Sequence, residues 1–396
     1  MFSNRLPPYA EINPLSRMMA SLQAAGVGIT DLTESNPTAV GLSYPDAIFE
    51  SLGAGESRRY APQPLGLAVA RETVATDYRR RGAIVDPSQV VLSASSSEAY
   101  SWIFKLLCDP GDAVLVPQPS YPLFEHLTRL EAVQAVPYHL AYQGRWEIDF
   151  DALIKAPTNV RAVLIVSPNN PTGSYVTRDE ARRLTEICQS RGWAVVADEV
   201  FADYPLDISA PPTESVLNLD VLSFTLGGAS KSLGLPQIKL GWMVVGGPAP
   251  QRGRALAALE LIADTFLSVS TPVQQAAPAL LTMGKAVRDQ IRARTATNLA
   301  VARDIVREHP ACSALPVEGG WSLVVRVPAI LPEEALALAL LEHERVLVHP
   351  GYFFDLAHEA FIVVSLIPRS DEFADAFART LRFAAAPVSP SNGHRR

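Results

Sequence analysis

Ser223-Phe-Thr-Leu-Gly-Gly-Ala-Ser-Lys-Ser-Leu-Gly-Leu-Pro236 is an apolar run that breaks into a loop of small residues around Lys231. A lysine at the border between apolar chain and glycine is partly desolvated, and desolvation lowers the pKa of an amine and frees it as a nucleophile. Most lysines are solvated surface charges instead, so this stretch is weak support for chemistry when taken alone. Whether Lys231 takes part in chemistry depends on which other residues the fold places beside it.

The chain before this stretch alternates short β-branched runs with longer amphipathic segments. The runs that predict strands are residues 90–92, 113–116, 163–166, 193–197 and 221–224, and the segments that predict helices are 98–107 and 123–131. The strands lack polar alternation, which indicates burial on both faces. Strands separated by helices predict an α/β fold with a mostly parallel, doubly wound sheet.

Polar residues follow four of the predicted strands. They are Ser95, Ser96 and Ser97 after 90–92, Asn170 after 163–166, Asp198 after 193–197 and Lys231 after 221–224. In sheets of this type ligands bind beyond the carboxyl ends of the strands. We therefore expect these side chains to form one site at one edge of the sheet.

The last third of the chain has a different pattern. A long charged segment, 283–309, predicts a helix, and it is followed by predicted strands and helices at 321–327 (strand), 332–344 (helix), 346–348 (strand), 361–365 (strand) and 371–383 (helix). This arrangement predicts a second, smaller α+β domain.

Composition excludes several classes of protein. Of 396 residues, 48% are hydrophobic and 19% charged, which indicates a globular protein with a large core, and the net charge is −7. The only basic cluster is residues 79–81, expected at a helix end, so we expect no nucleic-acid partner. The three scattered cysteines have no CxxC spacing and no HExxH motif occurs, so we expect no metal site.

The location of the protein is inferred from the absence of targeting and membrane-spanning patterns in the sequence. The first residues lack the apolar core of a signal peptide, and no run approaches the ~18 apolar residues of a membrane span. We therefore expect a cytoplasmic protein without a membrane partner. The polar, proline-rich residues 386–396 are expected to be disordered.

Two further motifs, Ser167-Pro-Asn-Asn-Pro-Thr-Gly and Ala197-Asp-Glu-Val, precede the Lys231 segment. Together the three resemble, in order and spacing, the class I/II aminotransferases among the fold type I pyridoxal phosphate (PLP) enzymes, and the resemblance covers nearly the whole chain. It implies a large domain with a mostly parallel seven-stranded sheet at 46–283. It also implies a small domain built from 13–45 with 284–385, an N-terminal arm at 1–12, and a homodimer.

The resemblance also implies roles for single residues. Lys231 would hold the PLP aldehyde as a Schiff base and move a proton at the substrate α-carbon. Asp198 would pair with the pyridine nitrogen, although an aspartate after a strand is often only a cap. Asn170 would donate to the phenolic oxygen, although Asn-Pro also forms turns. Tyr121 would stack on the ring.

The cofactor phosphate is expected at the junction after the first predicted strand. Ser95, Ser96 and Ser97 offer hydroxyls and backbone N–H groups where a helix begins, which favours an anion. By resemblance, Ser230 and Lys239 would add contacts, and Tyr60 would reach the phosphate of a neighbouring subunit.

Three positions depart from the family pattern. Phe201 replaces a tyrosine that donates to the cofactor, and Lys239 replaces a phosphate-binding arginine, which exchanges a bidentate fork for a point charge. Val363 replaces the arginine that binds the substrate carboxylate. Either another arginine takes that role, with Arg17, Arg58, Arg59, Arg326 and Arg369 as unranked candidates, or the substrate is not an ordinary α-amino acid. Ser35 and Asn36 align with the substrate loop.

The leading hypothesis is an aminotransferase that moves an amino group between an amino acid and a 2-oxo acid. Apolar residues near the expected site, namely Phe201, Trp321, Phe353 and Val363, favour a neutral or hydrophobic substrate. Two alternatives stay open. One is a PLP enzyme with another outcome, such as a lyase, cyclase or oxidase, and the other is a catalytically idle sensor domain with the same fold.

Overall fold

The computed structural model describes residues 2–6, 13–53, 55–207, 215, 217, 219–358 and 360–386. Most of the expected arm (1–12) and all but Ala386 of the expected disordered tail (386–396) lie outside these residues. The helices are α1 (Pro14–Ala24), α2 (Asp46–Glu50), α3 (Ala68–Arg80), α4 (Ser96–Leu107), α5 (Leu123–Leu130), α6 (Phe150–Ile154), α7 (Arg178–Arg191), α8 (Ala229–Ser232), α9 (Ala249–Phe266), α10 (Thr271–Met283), α11 (Lys285–Arg307), α12 (Glu333–Ala339) and α13 (Ser370–Ala385).

The strands form three sheets. They are β1 (Thr30–Asp31), β2 (Val90–Ser93), β3 (Ala113–Gln118), β4 (Gln134–Tyr142), β5 (Trp146–Ile148), β6 (Val160–Val166), β7 (Ala194–Asp198), β8 (Ser223–Gly228), β9 (Gly241–Gly246), β10 (Ser313–Ala314), β11 (Ser322–Arg326), β12 (Val346–Leu347), β13 (His349–Pro350) and β14 (Phe361–Ser365). Alternating strands and helices up to β9 agree with the predicted α/β class.

The largest sheet has the order β2-β9-β8-β7-β6-β3-β4-β5. Its four pairings from β8 through β7, β6 and β3 to β4 are parallel, whereas β9 is antiparallel to both neighbours and β5 is antiparallel to β4. The mostly parallel sheet is confirmed. Within the described residues it has eight strands where seven were expected, because the short hairpin strand β5 extends its edge.

The strand that leads to Lys231 begins at Ser223, two residues after the start of the predicted strand. The prediction began this strand at residue 221 and ended it at 224, but β8 continues through Gly227 and Gly228. Both glycines pair with β9, and a Cβ on Gly227 would lie 2.4 Å from the Trp242 indole nitrogen. Pairing with a neighbouring strand and the close approach of Trp242 therefore override the low strand propensity of glycine.

Helices cover both faces of this sheet, and successive side chains of β7 face opposite helix layers. Val196 faces a layer formed by α4 and α9, with Phe104 and Leu259 in its core. Val195 faces α7, where Leu184 packs. Each of these side chains is at most 1% exposed, so each contributes about 1.5–3 kcal/mol of hydrophobic stabilisation.

The last third of the chain forms a second sheet, with the antiparallel order β10-β11-β14-β13. A hydrophobic cluster unites α11, α12 and α13 with this sheet, and it includes Leu32 from the N-terminal region. Strand β1 pairs in parallel with β12, which ties residues 30–31 to the same unit. These contacts are what the expected small domain requires, but the boundaries at 13–45, 46–283 and 284–385 stay a prediction.

Residues 317–320, the strap, join the second sheet to the first. The Gly319 N–H donates to the Gly173 carbonyl at 2.9 Å, and the Gly320 N–H donates to the Tyr204 carbonyl at 2.9 Å. Glu318 accepts hydrogen bonds from the Arg145 guanidinium at 2.9 Å and from a backbone N–H at 2.8 Å. The strap thus holds β11 against the edge of the large sheet.

The predicted basic cluster lies at the C-terminal end of α3. Two of its members form ion pairs, Arg80 with Asp203 and Arg81 with Glu199, both at 2.7 Å. The Asp203 side chain is 3% exposed and also lies 3.5 Å from the buried Arg288. Burial alone would raise the pKa of Asp203, but Arg288, Arg80 and Arg81 outweigh it and hold this pKa below its usual value.

Two further properties of the described residues bear on other classes of function. No single helix there is long and apolar enough to cross a membrane. Helices α9 and α10 have sufficient length and apolar character only when taken together, and the two are bent by 119° relative to each other. No group of three or more His, Cys, Asp or Glu side chains there could hold a metal ion.

Asp203→Asn is expected to lower the free energy of unfolding by about 3 kcal/mol, because it leaves the buried Arg288 with only the longer contact to Asp77, at 3.8 Å, as a counter-charge. Urea denaturation near neutral pH measures this loss. Because the pKa of Asp203 is depressed in the folded chain, its stabilisation is present above the ordinary carboxyl pKa and disappears as the pH falls through the folded value. The difference between variant and wild type should therefore shrink in acid.

The matched control is Asp304→Asn, which removes the carboxylate of the exposed Asp304–Arg307 pair. Exposed pairs of this kind contribute at most about 0.5 kcal/mol. Equal losses in the two variants would show that the buried cluster is no more important to stability than a surface pair.

Candidate active site

A cavity of about 270 Å³ lies at the carboxyl edge of the large sheet, between that sheet and β11, β13 and β14. Most of the predicted site residues line it. They are Ser35, Ser96, Ser97, Tyr121, Asn170, Asp198, Phe201, Lys231 and Val363. Polar residues that follow four strands thus lie around one cavity at this edge of the sheet, and their roles stay a prediction.

Five predicted site residues do not line this cavity. Ser95 accepts the Glu98 N–H at 3.2 Å and thus caps α4, and Asn36 accepts the Thr38 N–H at 3.0 Å in a local turn. Ser230 lies in α8, directly before Lys231. The other two are Lys239, which is exposed in a left-handed conformation with φ 57°, and Tyr60, which is 76% exposed.

Lys231 lies in the one-turn helix α8, three residues after β8 ends. Its Nζ is 5.2 Å from the centroid of the Trp321 ring and 5.6 Å from that of Phe201, within the range of cation–π contact. Burial lowers the pKa of Lys231 below its usual value, although the charges of Asp198 and Glu34 act in the opposite direction. This environment favours the neutral, nucleophilic amine.

Asp198 is the last residue of β7, the strand beside β8. Its carboxylate accepts the Val200 N–H at 3.1 Å and the Tyr100 hydroxyl at 3.4 Å. Burial raises the pKa of Asp198 to about 6, although both hydrogen bonds and the nearby Lys231 charge act to lower it. The site therefore holds a carboxylate that lacks a full counter-charge.

Asn170 lies in the loop after β6, as the motif predicted. Its side-chain oxygen accepts the Ser322 hydroxyl at 3.1 Å, which leaves the amide N–H groups as donors for another acceptor. Ser322 begins β11, so this bond crosses the cavity from the large sheet to the second one.

The N-terminal turn of α4 forms the end of the cavity nearest β2. Ser96 and Ser97 line it and belong to the first turn, where backbone N–H groups have no partner within the helix. The Glu98 carboxylate accepts the Ala94 N–H at 2.6 Å and a Ser268 hydroxyl at 2.5 Å. These contacts orient the turn, so hydroxyls and unpaired N–H groups converge there.

The opposite wall is apolar. Val363 is 1% exposed and lies opposite Val324 in the second sheet, and His349 pairs with it from the other side. Burial lowers the pKa of His349 to about 4, although Asp31 raises it, so this imidazole is neutral at physiological pH. Phe353 stacks on His349 at 4.7 Å, and it is Phe354 that lines the cavity where Phe353 was expected.

None of the arginines considered as carboxylate ligands lines the cavity of this chain. Arg17, Arg58 and Arg59 are exposed. Arg326 lies 5.6 Å over the Phe361 ring, and Arg369 pairs with Asp371 and Glu372 on the surface. Among the described lining residues, Lys231 is the only lysine or arginine.

Sequence reasoning missed Tyr100, Ser322 and Ser365, which also line the cavity. Tyr100 could have been found, because it lies three and four residues after Ser97 and Ser96, and such residues share one face of a helix. Ser322 and Ser365 are directly opposite each other in β11 and β14. Nothing in the sequence predicts that pairing.

Comparisons with known proteins agree with this arrangement. The family model described as aminotransferase class I and II matches residues 27–375. A glutamate-pyruvate aminotransferase, AlaA, of Haemophilus influenzae is 25% identical over 381 residues, which cover 93% of this chain and 94% of that protein. An alanine aminotransferase of Mycobacterium tuberculosis is 26% identical over 383 residues, which cover 93% and 89%.

Solved structures share the same fold. An aminotransferase from Escherichia coli superposes with a TM-score of 0.86 at 24% identity, covering 98% of this chain and 99% of that one. An alanine aminotransferase from Pyrococcus furiosus gives a TM-score of 0.84 at 23% identity, covering 93% and 95%. The match of the family model to most of the chain gives the assignment: the chain belongs to the class I and II aminotransferases, which are PLP-dependent enzymes that exchange an amino group between an amino acid and a 2-oxo acid.

Proposed function

We propose that Lys231 is the amine that carries PLP and moves the substrate α-proton, with Asp198 as the partner of the cofactor ring. One observation carries this assignment. An amine of lowered pKa and a carboxylate of raised pKa follow adjacent parallel strands and line the same cavity. Paired perturbations of this kind are typical of catalytic groups.

When bound, PLP supplies an aldehyde that condenses with amines and a protonated ring that takes up electron density from the α-carbon. The donor set fits such a group. Asp198 is buried without a full counter-charge, and a protonated ring nitrogen would supply one. Asn170 has amide N–H groups left to donate to a phenolic oxygen, and Tyr121, half exposed on the cavity, offers a ring face.

The phosphate would bind at the N-terminal turn of α4. Ser96 and Ser97 contribute hydroxyls there, and the unpaired N–H groups of the turn add donors aligned with the helix dipole. Ser95 supports the turn as its cap. Ser230 and Lys239 would complete the set after the chain leaves β8, with Lys239 as the positive charge.

Lys231 would then work as base and acid. With the amino donor bound, its amine would be free to take a proton from the substrate α-carbon and to give that proton up again as the acid. A neutral amine is required for the first step, and the burial of Lys231, which lowers its pKa, favours that form. With the 2-oxo acid bound, Lys231 would make the same two proton transfers in the opposite order.

The substrate side chain would be neutral and apolar. Its surroundings on the far wall are Trp321, Phe354 and Val363, and His349 is neutral. The carboxylate would meet the hydroxyls of Ser35 and Ser365, with Asn36 nearby on the same loop as Ser35.

A homodimer is part of the proposal. Tyr60 is 76% exposed and lies outside its own chain's cavity, as a residue directed to a neighbour's phosphate would. Phe49, Leu261 and Phe266 are large apolar side chains that are 41%, 74% and 50% exposed, which favours burial against a partner. The cytoplasm as the compartment stays a prediction.

Lys231→Ala is expected to lower the transamination rate about 10³-fold, because it removes the proton-transfer group and the amine that carries the cofactor. Borohydride reduction followed by peptide mass spectrometry should find the cofactor attached to Lys231 of the wild type and no such adduct in Lys231→Ala. The exposed Lys285→Ala is the control and should retain both properties. Fixation at another lysine in the wild type would refute the assignment.

Asp198→Asn is expected to remove a pH dependence of cofactor affinity. In the wild type, affinity should rise as the pH increases through about 6, because the carboxylate becomes charged and can pair with a protonated ring nitrogen. Equilibrium titration of the chain with PLP from about pH 5 to about pH 8 measures this. An unchanged pH profile in the variant would rule out Asp198 as the ring partner.

Apolar donors such as leucine and phenylalanine are expected to react with a kcat/KM about tenfold or more above that of glutamate or aspartate. A second carboxylate would be buried in a cavity whose described lining contains no arginine, and an unpaired buried charge is strongly disfavoured. Formation of pyridoxamine 5'-phosphate, measured donor by donor, gives the ranking. If glutamate or aspartate gave the highest kcat/KM among the donors, the proposed apolar subsite would be contradicted.

A further inference from the structure

Tyr204 lies beneath the lysine-bearing helix α8 and outside the cavity. Its side chain is fully buried, and its hydroxyl donates to the Lys231 carbonyl at 2.6 Å and to the Ser232 carbonyl at 3.3 Å. Burial raises the pKa of Tyr204 well above its usual value, so the hydroxyl keeps its proton and stays a donor. No residue that lines the cavity makes this contact to the Lys231 backbone.

Helix α8 depends on such contacts because it is a single turn of four residues. One turn has almost no stability of its own, since few internal hydrogen bonds offset the ordering of its backbone. The turn is held from the same side by two consecutive residues. Asp203 accepts the Ser232 hydroxyl at 2.6 Å, and Tyr204 bonds the carbonyls of Lys231 and Ser232.

The ring of Tyr204 also reaches the Lys231 amine through Trp321. The Tyr204 and Trp321 rings meet edge to face at 5.1 Å, and the Lys231 Nζ lies 5.2 Å from the centroid of Trp321. The indole nitrogen of Trp321 is buried without a hydrogen-bond partner among the described residues. Ring contacts, including one with Phe201 at 5.2 Å, therefore hold this indole in place.

We propose that Tyr204 is a positioning residue that fixes the backbone and the aromatic wall from which the Lys231 amine acts. This rests on the proposed role of Lys231. The hydroxyl anchors the base of the lysine side chain, and the ring orients the surface along which its amine extends. Tyr204 touches neither substrate nor cofactor, so its loss should impair steps that use the lysine and spare those that do not.

The test compares two forms of the cofactor on the full chain. PLP condenses with Lys231, whereas pyridoxamine 5'-phosphate has no aldehyde and cannot. Tyr204→Phe keeps the ring and deletes the hydroxyl; it should weaken the affinity for PLP about tenfold and leave that for pyridoxamine 5'-phosphate within about twofold. In turnover, kcat should fall about tenfold at an unchanged KM, and the isotope effect of an α-deuterated donor should increase.

Tyr138→Phe is the matched control. Tyr138 is fully buried and its hydroxyl donates to the Leu164 carbonyl at 2.8 Å, so the same group is lost from the same kind of bond away from α8. It should leave both affinities and kcat unchanged. Should Tyr204→Phe fail to fold, Ser232→Ala removes the other anchor of the turn, and the same selective loss of PLP affinity is expected.

Equal losses for both cofactor forms would overturn the proposal, because they would indicate general damage to the site. No loss for either form would overturn it too. A wild type that binds PLP at Lys231 but forms no pyridoxamine 5'-phosphate with any donor would instead refute the proposed substrate chemistry. The affinity comparison would still decide the role of Tyr204.

Discussion

The site depends on desolvation of two opposite charges at the ends of neighbouring strands. Burial disfavours the charged forms of both Lys231 and Asp198, and each is only partly compensated by the other. Parallel pairing of β7 with β8 sets the end of each strand, so the register of the sheet decides how close the two groups come. Helices α4, α7 and α9 fill the two faces and keep water from the sheet.

The sequence predicts those features of the site that depend on residues close together in the chain. Asp198 and Asn170 each follow a short apolar run, and the motifs around them are contiguous, so their edge of the sheet is predictable. The α/β class follows from the same alternation. Ser96 and Ser97 follow because a helix begins there.

What the sequence does not predict depends on pairing between distant segments. The position of β8 is set by Trp242 on β9, which packs on Gly227, and glycine-rich ends discourage a strand prediction. Ser322 and Ser365 meet only because β11 and β14 are antiparallel. Tyr204, six residues after Asp198, has no motif of its own, and its role emerges only once its hydroxyl is seen at α8.

The strap connects the second sheet to loops at the edge of the large sheet. Residues 317–320 are bonded to the large sheet through Gly173, Arg145 and Tyr204, and Trp321 follows directly. A Cβ on Gly173 would lie 2.6 Å from the Gly319 carbonyl oxygen, so the two backbones are in contact there. The position of Trp321 is consequently fixed relative to the large sheet. Among the described strands β1 pairs with β12 alone, so strand pairing ties the loop after β1 to the unit of the second sheet and leaves it without a ladder to the large sheet.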